Sequence, residues 1–432
     1  MMAAGRAAEL DANVLLLENM DRPGNKILIS GNGRCNLSNS LDMDIFIAQF
    51  GTNGQFLYSA FSRFFRDDMV DFLRRYKVEC KTEPDGKIYP ITDNARDIVR
   101  AFTHYLDKTG VTIRYKTAVK GLTIENGRVT GVQTAYENIP ADAVIIATGG
   151  SNHPQTGSTG DGYIIAGKTG HTVTRLRPGL VPLIVADTKK AKQMQGASLS
   201  DVRATAFQCP AEKIDVSLIP RADVGRGISG KRPKPPIIEN RTGNAIITHF
   251  GLSGPVILEM SGAIVDALEN GPVSVNIDLV PDKDRDRLRE ELQQTFNKYS
   301  KRTYQNIIKE YLPPKLTGPF ASMTGVPTKK LGNQITQAER ETLLNLLKSL
   351  RFDIKGAYSM ATAMVTAGGV LLKEINPRTM ESQLVKGLYF CGEVLDLDAG
   401  TGGFNLQAAF STGYIAGESA ALAVATADAA TS

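Results

Sequence analysis

Residues 1–18, MMAAGRAAELDANVLLLE, decide the fold class, because they have the pattern of the closing half of a dinucleotide-binding βαβ unit. Met1 to Leu10 has the small residues of a helix that packs closely on a sheet. Val14 to Leu17 is the continuous apolar run of a parallel strand that is buried on both faces. Glu18 follows directly, where the full fingerprint has an acid that accepts the hydroxyl groups of an adenosine ribose.

The glycine loop that opens this fingerprint is absent from the sequence. Ala4, Asp11 and Glu18 stand at the spacings of its small residue, its glycine and its acid. The implied GxGxxG turn and its strand would lie before Met1, so we expect a start codon assigned too late or a truncated form. Alone, the segment fits an ordinary helix and strand equally well, and the other end of the chain favours the cofactor interpretation.

That other end, residues 391–423, is a Gly-rich turn that opens a long helix with small residues on one side. Residues 401–406, TGGFNL, would present free N–H groups and the positive end of the helix dipole. In a flavin site such donors face the N1 and C2 carbonyl side of the ring, where negative charge collects on reduction. An ordinary tight strand-to-helix turn is the alternative. The predicted cofactor contacts here are Gly392, Glu393, Gly402, Gly403, Phe404, Asn405 and Leu406.

The stretch Asp21 to Asn39 is too polar and too rich in glycine to be core. Lys26 and Arg34 are predicted to neutralise a pyrophosphate or to hold an anionic flavin. The turn from Gly31 to Gly33 permits close approach of the backbone to a ligand. Cys35 is interpreted either as a flavin contact or as a small packing residue.

Residues 111–150 have the clearest strand pattern, with a hairpin across Asn126-Gly127. The run Ala143 to Ala147 is predicted to be a buried parallel strand. Small residues follow it, at the end of the strand where α/β sheets bind cofactors. The predicted contacts are Ala147, Thr148, Gly149 and Gly150.

The middle of the chain changes character twice. Short β-like runs from Thr172 to Leu279 predict a small antiparallel barrel or sandwich. Asp282 to Leu350 is helical, with a capping box of Thr336 and Glu339 before an apolar face. Arg226 to Pro236 is basic and rich in Gly and Pro, and is interpreted as a solvated loop or as a grip for phosphate or nucleic acid.

Composition excludes several classes of protein. The chain has 432 residues, 42% of them hydrophobic and 22% charged, with a formal net charge of +5. This is ordinary for a soluble globular protein and does not require a nucleic-acid partner. No apolar run has the roughly 20 residues of a membrane span, and no signal peptide is recognisable. We therefore expect a cytoplasmic protein without a membrane partner.

The four cysteines, Cys35, Cys80, Cys209 and Cys391, are scattered and form no CxxC pair. This spacing argues against a disulfide framework, a structural metal and the dithiol relay of disulfide reductases. We predict no metal site.

Several motifs together resemble those of the HI0933-like flavoproteins, and the resemblance covers essentially the whole chain. The motifs are LISGNGRCNLSN (28–39), ATGG (147–150), GSTGDGY (157–163), THFGLSGP (248–255), TAGGV (366–370) and GLYFCGEVLDLDAGTGGFNLQ (387–407). The resemblance implies an NAD(P)/FAD-dependent oxidoreductase. It also implies an α/β fold: a Rossmann-like FAD-binding domain of the glutathione-reductase type, with an inserted β-barrel-like domain and a small helical insert.

The expected domain boundaries follow from the pattern and the resemblance together. They are 1–165 for the first part of the FAD-binding domain, 166–280 for the inserted β domain, 281–350 for the helical insert, 351–372 for a return through the β domain, and 373–432 for the second part of the FAD-binding domain.

The resemblance also implies roles for single residues. Glu18 would bind the adenosine ribose, and Val119 would bind the adenine through its backbone. The turn Gly402 to Leu406 would bind the flavin, and Arg34 to Asn36 would lie near the isoalloxazine. The family has a strand and a GGGPAG-like loop at its start, which would supply pyrophosphate-binding N–H groups. We therefore expect FAD binding to be weaker in this form.

The sequence contains no second GxGxxG segment. A dedicated NAD(P)H domain is therefore not expected, although NAD(P)H could still bind directly at the flavin face as a reductant. His153 and His249, each in a Gly-rich stretch, are the weak acid–base candidates. The predicted substrate is a small organic molecule, an amine or an unsaturated compound.

Two other functions remain open. One is a flavin-binding protein that acts on or with RNA and uses Lys231, Arg232, Lys234 and the helical insert as its docking surface. The other is a fragment that folds without cofactor. The oligomeric state is not predicted by any pattern in the sequence.

Overall fold

The structure, a computed structural model, describes residues 1–225 and 234–431. By its internal contacts the chain forms two units. Unit 1 comprises Met1–Pro178 and Met360–Ser432, and unit 2 comprises Gly179–Ser359. Most of the basic stretch Arg226 to Pro236, including Lys231 and Arg232, lies outside the described residues.

Unit 1 mixes short strands with helices of very different length. Its α-helices are α1 (Met2–Ala8), α2 (Asn25–Ile29), α3 (Met43–Ala48), α4 (Tyr58–Phe61), α5 (Arg66–Arg75), α6 (Ala95–Lys108), α7 (Asp161–Lys168) and α14 (Phe404–Thr431). Its strands are β1 (Leu15–Leu17), β2 (Ser38–Asn39), β3 (Cys80–Thr82), β4 (Lys87–Pro90), β5 (Thr112–Arg114), β6 (Val119–Glu125), β7 (Arg128–Thr134), β8 (Asn138–Pro140), β9 (Val144–Ile146), β10 (Arg177–Gly179), β17 (Val365–Ala367) and β18 (Leu388–Phe390).

Two pairs of parallel strands carry the Rossmann-like part of unit 1. Strand β1 pairs with β5, with Leu15 opposite Thr112. Strand β9 pairs with β18, with Ile146 opposite Phe390. Strands β6, β7 and β8 form the antiparallel sheet whose first hairpin turns at Asn126-Gly127, as predicted. A second small antiparallel sheet has the order β2-β4-β3.

The burial predicted for two parallel strands was wrong. All three residues of β1 are partly exposed, and Ala147, directly after β9, is exposed, as is Thr148. A continuous apolar run indicates burial on both faces only when layers packed above and below the sheet cover the whole strand. In the described residues β1 pairs with β5 alone and β9 with β18 alone, so each sheet is narrow and offers little surface for such layers. Part of each apolar strand surface is left uncovered.

Helix α14 packs against α1 through small residues. A Cβ atom added to Gly417 would overlap the carbonyl oxygen of Ala3, and one added to Gly413 would lie 3.5 Å from Met2 Cβ. The small-residue face predicted for the N-terminal helix is thus used in a close helix–helix contact. Asp11, which stands at the glycine position of the fingerprint, has a left-handed backbone with φ of 62°.

Unit 2 combines a closed barrel with helices. The strands are β11 (Leu183–Val185), β12 (Ser198–Phe207), β13 (Ile237–Ile247), β14 (Gly251–Ser253), β15 (Val273–Asp278) and β16 (Leu350–Ala357). The α-helices are α8 (Thr188–Gln193), α9 (Pro255–Ala267), α10 (Arg285–Lys298), α11 (Tyr304–Ile307), α12 (Pro314–Thr324) and α13 (Gln337–Lys348).

The barrel closes in the order β11-β14-β13-β12-β15-β16, so the predicted barrel is present. Its inner residues and the apolar faces of α10 and α13 belong to one hydrophobic core, which contains both Val275 and Leu343. The predicted capping box also forms. The backbone N–H of Thr336 donates to Glu339 Oε2 at 2.8 Å, and Glu339 N–H donates to Thr336 Oγ1 at 3.2 Å.

Neither a membrane-spanning helix nor a metal-binding cluster is present in the described ranges. Across residues 1–225 and 234–431, no helix combines the length and the apolar character of a membrane span. Within the same ranges, no three His, Cys, Asp or Glu side chains come together as a metal site.

Candidate cofactor site

Three predicted segments follow the carboxyl ends of the parallel strands in unit 1. Glu18 follows β1, Ala147 to Gly150 follows β9, and Gly392 with Glu393 comes just after β18. The carboxyl ends of parallel strands are the usual ligand edge of an α/β sheet. Glu18 is partly exposed, and its Oε1 accepts the backbone N–H of Met20 at 2.8 Å.

Lys26 and Glu393 form the centre of a polar network in unit 1. Lys26 Nζ donates to Glu393 Oε2 at 2.9 Å and to Asn152 Oδ1 at 2.6 Å. The other oxygen of Glu393 accepts the backbone N–H of Thr366 at 2.9 Å. Thr366 Oγ1 lies 3.2 Å from Asn152 Oδ1 and accepts the N–H of Ser151 at 2.9 Å. Hydrogen bonds thus join residues from four segments that are distant in the sequence: Lys26, Asn152, Thr366 and Glu393.

The glycines after β9 lie directly against this network. A Cβ atom on Gly150 would overlap Thr366 Oγ1 and would lie 3.0 Å from the carboxyl carbon of Glu393. The small residues here allow the backbone to approach the Thr366–Glu393 pair closely, and their approach to a ligand stays a prediction. Asn152 itself is fully buried, and its Nδ2 donates to the Ala363 carbonyl at 3.0 Å.

His153 lies beside the same network. Its backbone N–H donates to the carbonyl of Ala361 at 3.1 Å, and its Nδ1 lies 3.3 Å from Gln155 Nε2. Partial burial and the positive charge of Lys26 lower the pKa of His153, against a smaller opposing effect of Glu393. This shift favours the neutral form of the imidazole.

The Gly-rich turn before α14 is held from both sides. Asn405 closes it by accepting the N–H of Ala399 at 2.9 Å and donating to the Ala399 carbonyl at 2.9 Å. In the amide orientation that satisfies both neighbours, Asn36 accepts the N–H of Gly403 at 3.0 Å and donates to the Ser38 carbonyl at 3.1 Å. Two predicted segments, 28–39 and 401–406, therefore meet here.

Gly403 is required by this contact. Its φ is 91°, which is in the left-handed region, and an added Cβ would overlap the carbonyl oxygen of Ser38 and lie 2.6 Å from its nitrogen. Only glycine both adopts this φ without strain and leaves room for the Ser38 backbone.

The first turn of α14 carries donors that suit a flavin. Within the described residues, the backbone N–H groups of Phe404, Asn405 and Leu406 have no hydrogen-bond acceptor. Two buried side-chain atoms of this region, Ser38 Oγ and Gln407 Oε1, also lack a partner in the described part of the chain. Unpaired donors and acceptors at a positive helix end fit the carbonyl and N–H edge of an isoalloxazine.

Arg34 is held in a cluster of its own. Its guanidinium donates to Asp93 Oδ1 at 2.9 Å, pairs with Glu83, and lies 3.9 Å from the centre of the Tyr89 ring. Lys81 pairs with the other oxygen of Asp93 at 2.5 Å. The cation predicted to neutralise a cofactor is therefore matched by two carboxylates of its own chain in this structure.

Cys35 is fully buried, and burial raises the pKa of its thiol to about 12. Burial likewise raises the pKa of Cys391 to about 11. Neither thiol is a thiolate at neutral pH, so neither is an activated nucleophile. Packing is the interpretation of Cys35 that this burial favours.

Cys209 is more exposed than Cys35 and Cys391, and this difference predicts the order in which the three thiols are alkylated. Iodoacetamide at pH 8, read by peptide mass spectrometry, is expected to label partly exposed Cys209 in the native protein. Cys35 and Cys391 are expected to react only after unfolding, because their thiols are buried and protonated. Native labelling of Cys35 as fast as that of Cys209 would contradict the buried position.

The remaining predicted residues occupy turns or the core. Gly31 and Gly33 lie in the turn Ser30–Gly33, and Gly392 donates its N–H to Thr412 Oγ1 at 3.0 Å. Val119 begins β6 opposite Thr134. The Phe404 side chain is a core residue whose ring meets Phe46 edge-on at 4.8 Å, so only its backbone is available to a ligand.

His249 lies in unit 2 and is exposed. Its ring contacts Phe250 edge-on at 5.0 Å, and Phe250 stacks on Tyr358 at 4.7 Å. In the described residues no acid, base or polar network surrounds it that resembles the one around His153.

Sequence reasoning missed two members of the polar network, Asn152 and Thr366. Asn152 directly follows the ATGG segment, and Thr366 opens the TAGGV motif, so both stood next to recognised signals. Their role was hidden because it depends on contacts between residues 214 positions apart.

Comparison with known proteins gives the family. The profile described as "HI0933-like protein Rossmann domain" matches residues 1–419. A 3-dehydro-bile acid delta(4,6)-reductase of Clostridium scindens is 30% identical over 422 residues, which are 97% of this chain and 95% of that protein. A ribosomal RNA dihydrouridine synthase of Escherichia coli is 29% identical, covering 96% of this chain and 93% of that protein.

A solved structure supports the fold. The 3-ketosteroid delta1-dehydrogenase from Sterolibacterium denitrificans, in complex with 1,4-androstadiene-3,17-dione, has a TM-score of 0.50 at 13% identity. The match covers 98% of this chain and 97% of that chain. The predicted Rossmann-type FAD-binding fold and the predicted class, a flavin-dependent oxidoreductase, are confirmed by these findings together. The chain therefore belongs to the HI0933-like family.

Proposed function

We propose that the chain is an FAD-dependent reductase that adds two hydrogens to an activated carbon–carbon double bond in a ring. The observation that carries this proposal is the unpaired donor set at the start of α14, which the Asn36–Gly403 contact holds in place. When bound and reduced by NAD(P)H, the flavin would supply the hydride and return to the oxidised form, and the ring carbon next to the one attacked would take a proton.

The relatives favour this reaction type. The name of the Clostridium scindens protein denotes reduction at the delta(4,6) positions of a 3-dehydro bile acid. The name of the Escherichia coli protein denotes formation of dihydrouridine in ribosomal RNA. Both names describe hydrogenation of a ring double bond. Of the two sequence-based expectations for a small substrate, we therefore retain the unsaturated compound and not the amine.

The FAD position that we propose is of the glutathione-reductase type. Glu18, at the end of β1, would accept the adenosine ribose hydroxyls, and the backbone of Val119 would meet the adenine. Lys26 and Glu393 would hold the central part of the cofactor. The free N–H groups of residues 404–406 would face the ring carbonyl side, where negative charge is stabilised.

For the proton we propose His153. It shares the electrostatic environment of Lys26 and Glu393, whereas His249 belongs to unit 2. A neutral imidazole carries one N–H and one unprotonated nitrogen, so His153 would act as a relay: it would accept a proton from solvent at one nitrogen while it donates the proton of the other. NAD(P)H is proposed as the electron donor, bound at the flavin face without a domain of its own.

A single-turnover experiment tests the reaction type. The FAD-loaded protein would be reduced anaerobically with dithionite, freed of excess reductant, and mixed with a 3-oxo-4,6-diene bile acid or with a uridine-containing RNA. We expect reoxidation of the flavin and a product heavier by two hydrogens from at least one of the two. An unchanged flavin spectrum with both, or reoxidation by oxygen alone, would contradict the proposed function.

A further inference from the structure

One segment of unit 2, besides the basic stretch Arg226 to Pro236, has a local excess of positive charge. Residues 292–340 contain eight of the 50 Lys and Arg residues and only two of the 45 Asp and Glu residues. The other 383 residues hold 42 basic and 43 acidic side chains, so they are electrically almost neutral. The net charge of +5 therefore conceals a segment with six more basic than acidic residues, because the charges of the other residues cancel when they are summed.

Two loops of this segment run side by side. One is 298–303, which follows α10, and the other is 329–333, which precedes α13. The N–H of Gly332 donates to the Arg302 carbonyl at 2.9 Å, and Asn333 N–H donates to the Ser300 carbonyl at 3.0 Å. The N–H of Tyr304 donates to the Lys330 carbonyl at 2.7 Å. We call the surface of these two loops the basic face.

The basic face presents cations that are not matched by acids. Lys298, Lys301 and Lys329 are exposed, and in the described part of the chain no carboxylate lies within 4 Å of any of them. Arg302 is 3.7 Å from Glu310, which is a long and exposed ion pair. Among the five cations of the face, Lys330 alone is closely paired, with Glu339 at 2.6 Å.

One aromatic ring organises this face. The guanidinium carbon of Arg302 lies 4.1 Å from the centre of the Tyr299 ring, and Lys298 Nζ lies 5.2 Å from it. Cation–π contacts of this kind hold long basic side chains near one position and reduce the entropy that they lose on binding. The cations are therefore partly preorganised for an extended anion.

We propose that the basic face binds the phosphate backbone of single-stranded RNA. Several cations on adjacent loops suit a chain of evenly spaced phosphates better than a single phosphate group. The face lacks the exposed large apolar side chains that an anionic membrane surface would require: the exposed one nearest to it in the described sequence is Met323, at 36%. The inference that RNA binds this face is independent of the proposed function. The further statement that the reduced ring is a base within RNA rests on the proposed function.

The test uses the full-length protein and a variant with Lys298→Gln, Lys301→Gln and Lys329→Gln. The control variant, Lys108→Gln with Lys120→Gln and Lys168→Gln, removes the same charge from exposed lysines of unit 1. Binding of a short fluorescein-labelled, uridine-rich oligoribonucleotide would be followed by anisotropy between about 50 and 200 mM salt. Thermal unfolding would show that all three proteins are folded.

We expect the wild-type chain and the control to bind with similar affinity. The basic-face variant should bind about tenfold more weakly, and its slope of log K against log salt should be smaller by about 2, because each phosphate contact on a single strand contributes about 0.7. Equal losses in both variants, or no loss in the basic-face variant, would overturn the proposal. So would binding of the wild type to phosphatidylserine vesicles but not to RNA.

The binding assay involves no turnover, so its failure can be told apart from failure of the proposed function. A protein that reduces the bile acid but does not bind the oligoribonucleotide would retain the proposed reductase and refute the RNA surface. A protein that binds RNA through the basic face but shows no flavin reoxidation would retain the RNA surface and refute the proposed reductase.

Discussion

Replacing Gly403 with alanine is expected to abolish FAD binding and to lower the free energy of unfolding of unit 1 by about 3 kcal/mol. The new Cβ would overlap the Ser38 carbonyl oxygen and would strain a backbone whose φ is 91°. Relief of that overlap must move the turn away from loop 28–39, and the N–H groups of residues 404–406 would move with it. Visible absorbance of the FAD-loaded protein and urea unfolding measure the two effects.

Gly167→Ala is the matched control for this substitution. Gly167 lies in α7, and nothing is within 4 Å of the Cβ atom that alanine would add. Because glycine is a poor helix former, this change is expected to stabilise the protein by about 0.5–1 kcal/mol and to leave FAD bound. If Gly403→Ala bound FAD as well as Gly167→Ala, the turn before α14 would not be part of the cofactor site.

Replacing Lys26 with methionine is expected to weaken FAD binding by about tenfold to a hundredfold. The substitution removes the cation that is proposed to hold the cofactor and that also binds Glu393 Oε2 and Asn152 Oδ1, and a hydrogen bond to a charged group contributes about 1.5–3 kcal/mol. Fluorescence titration with FAD measures the loss. Lys168→Met, at an exposed position in the last turn of α7, is the control and should bind FAD normally.

A double-mutant cycle separates the network from the individual side chains. Glu393→Gln keeps an oxygen for the N–H of Thr366 and loses the charge that faces Lys26. If the two residues act together, the double variant should lose less affinity than the sum of the single losses. Strict additivity would mean that Lys26 and Glu393 contribute separately and that the network has no joint role.

The features that the sequence predicts best are those that depend on neighbouring residues. The hairpin at Asn126-Gly127, the capping box of Thr336 and the long helix after the Gly-rich turn are local patterns, and all three are present. The barrel could be predicted as a class because its strands are short, regular and separated by turns.

What could not be predicted depends on contacts between distant segments. Nothing in the residues around Lys26 indicates that Asn152 and Glu393 would be its partners. Arg34 is predicted to be a ligand group because cations beside glycines suit phosphate, yet Glu83 and Asp93, which follow β3 and β4, pair with it. The exposure of β1 likewise depends on which distant segments pack against its narrow two-stranded sheet and not on its own apolar residues.

The most direct measurement is a titration of the wild-type chain and a Glu18→Gln variant with FAD and with FMN, followed by visible absorbance. FAD carries the adenosine ribose that Glu18 is proposed to hold, and FMN does not. We predict one FAD per chain with a perturbed flavin spectrum, weaker binding of FMN, and a loss on Glu18→Gln that affects FAD and not FMN. No binding of FAD by the wild-type chain, or equal binding of FAD and FMN by both proteins, would contradict the account.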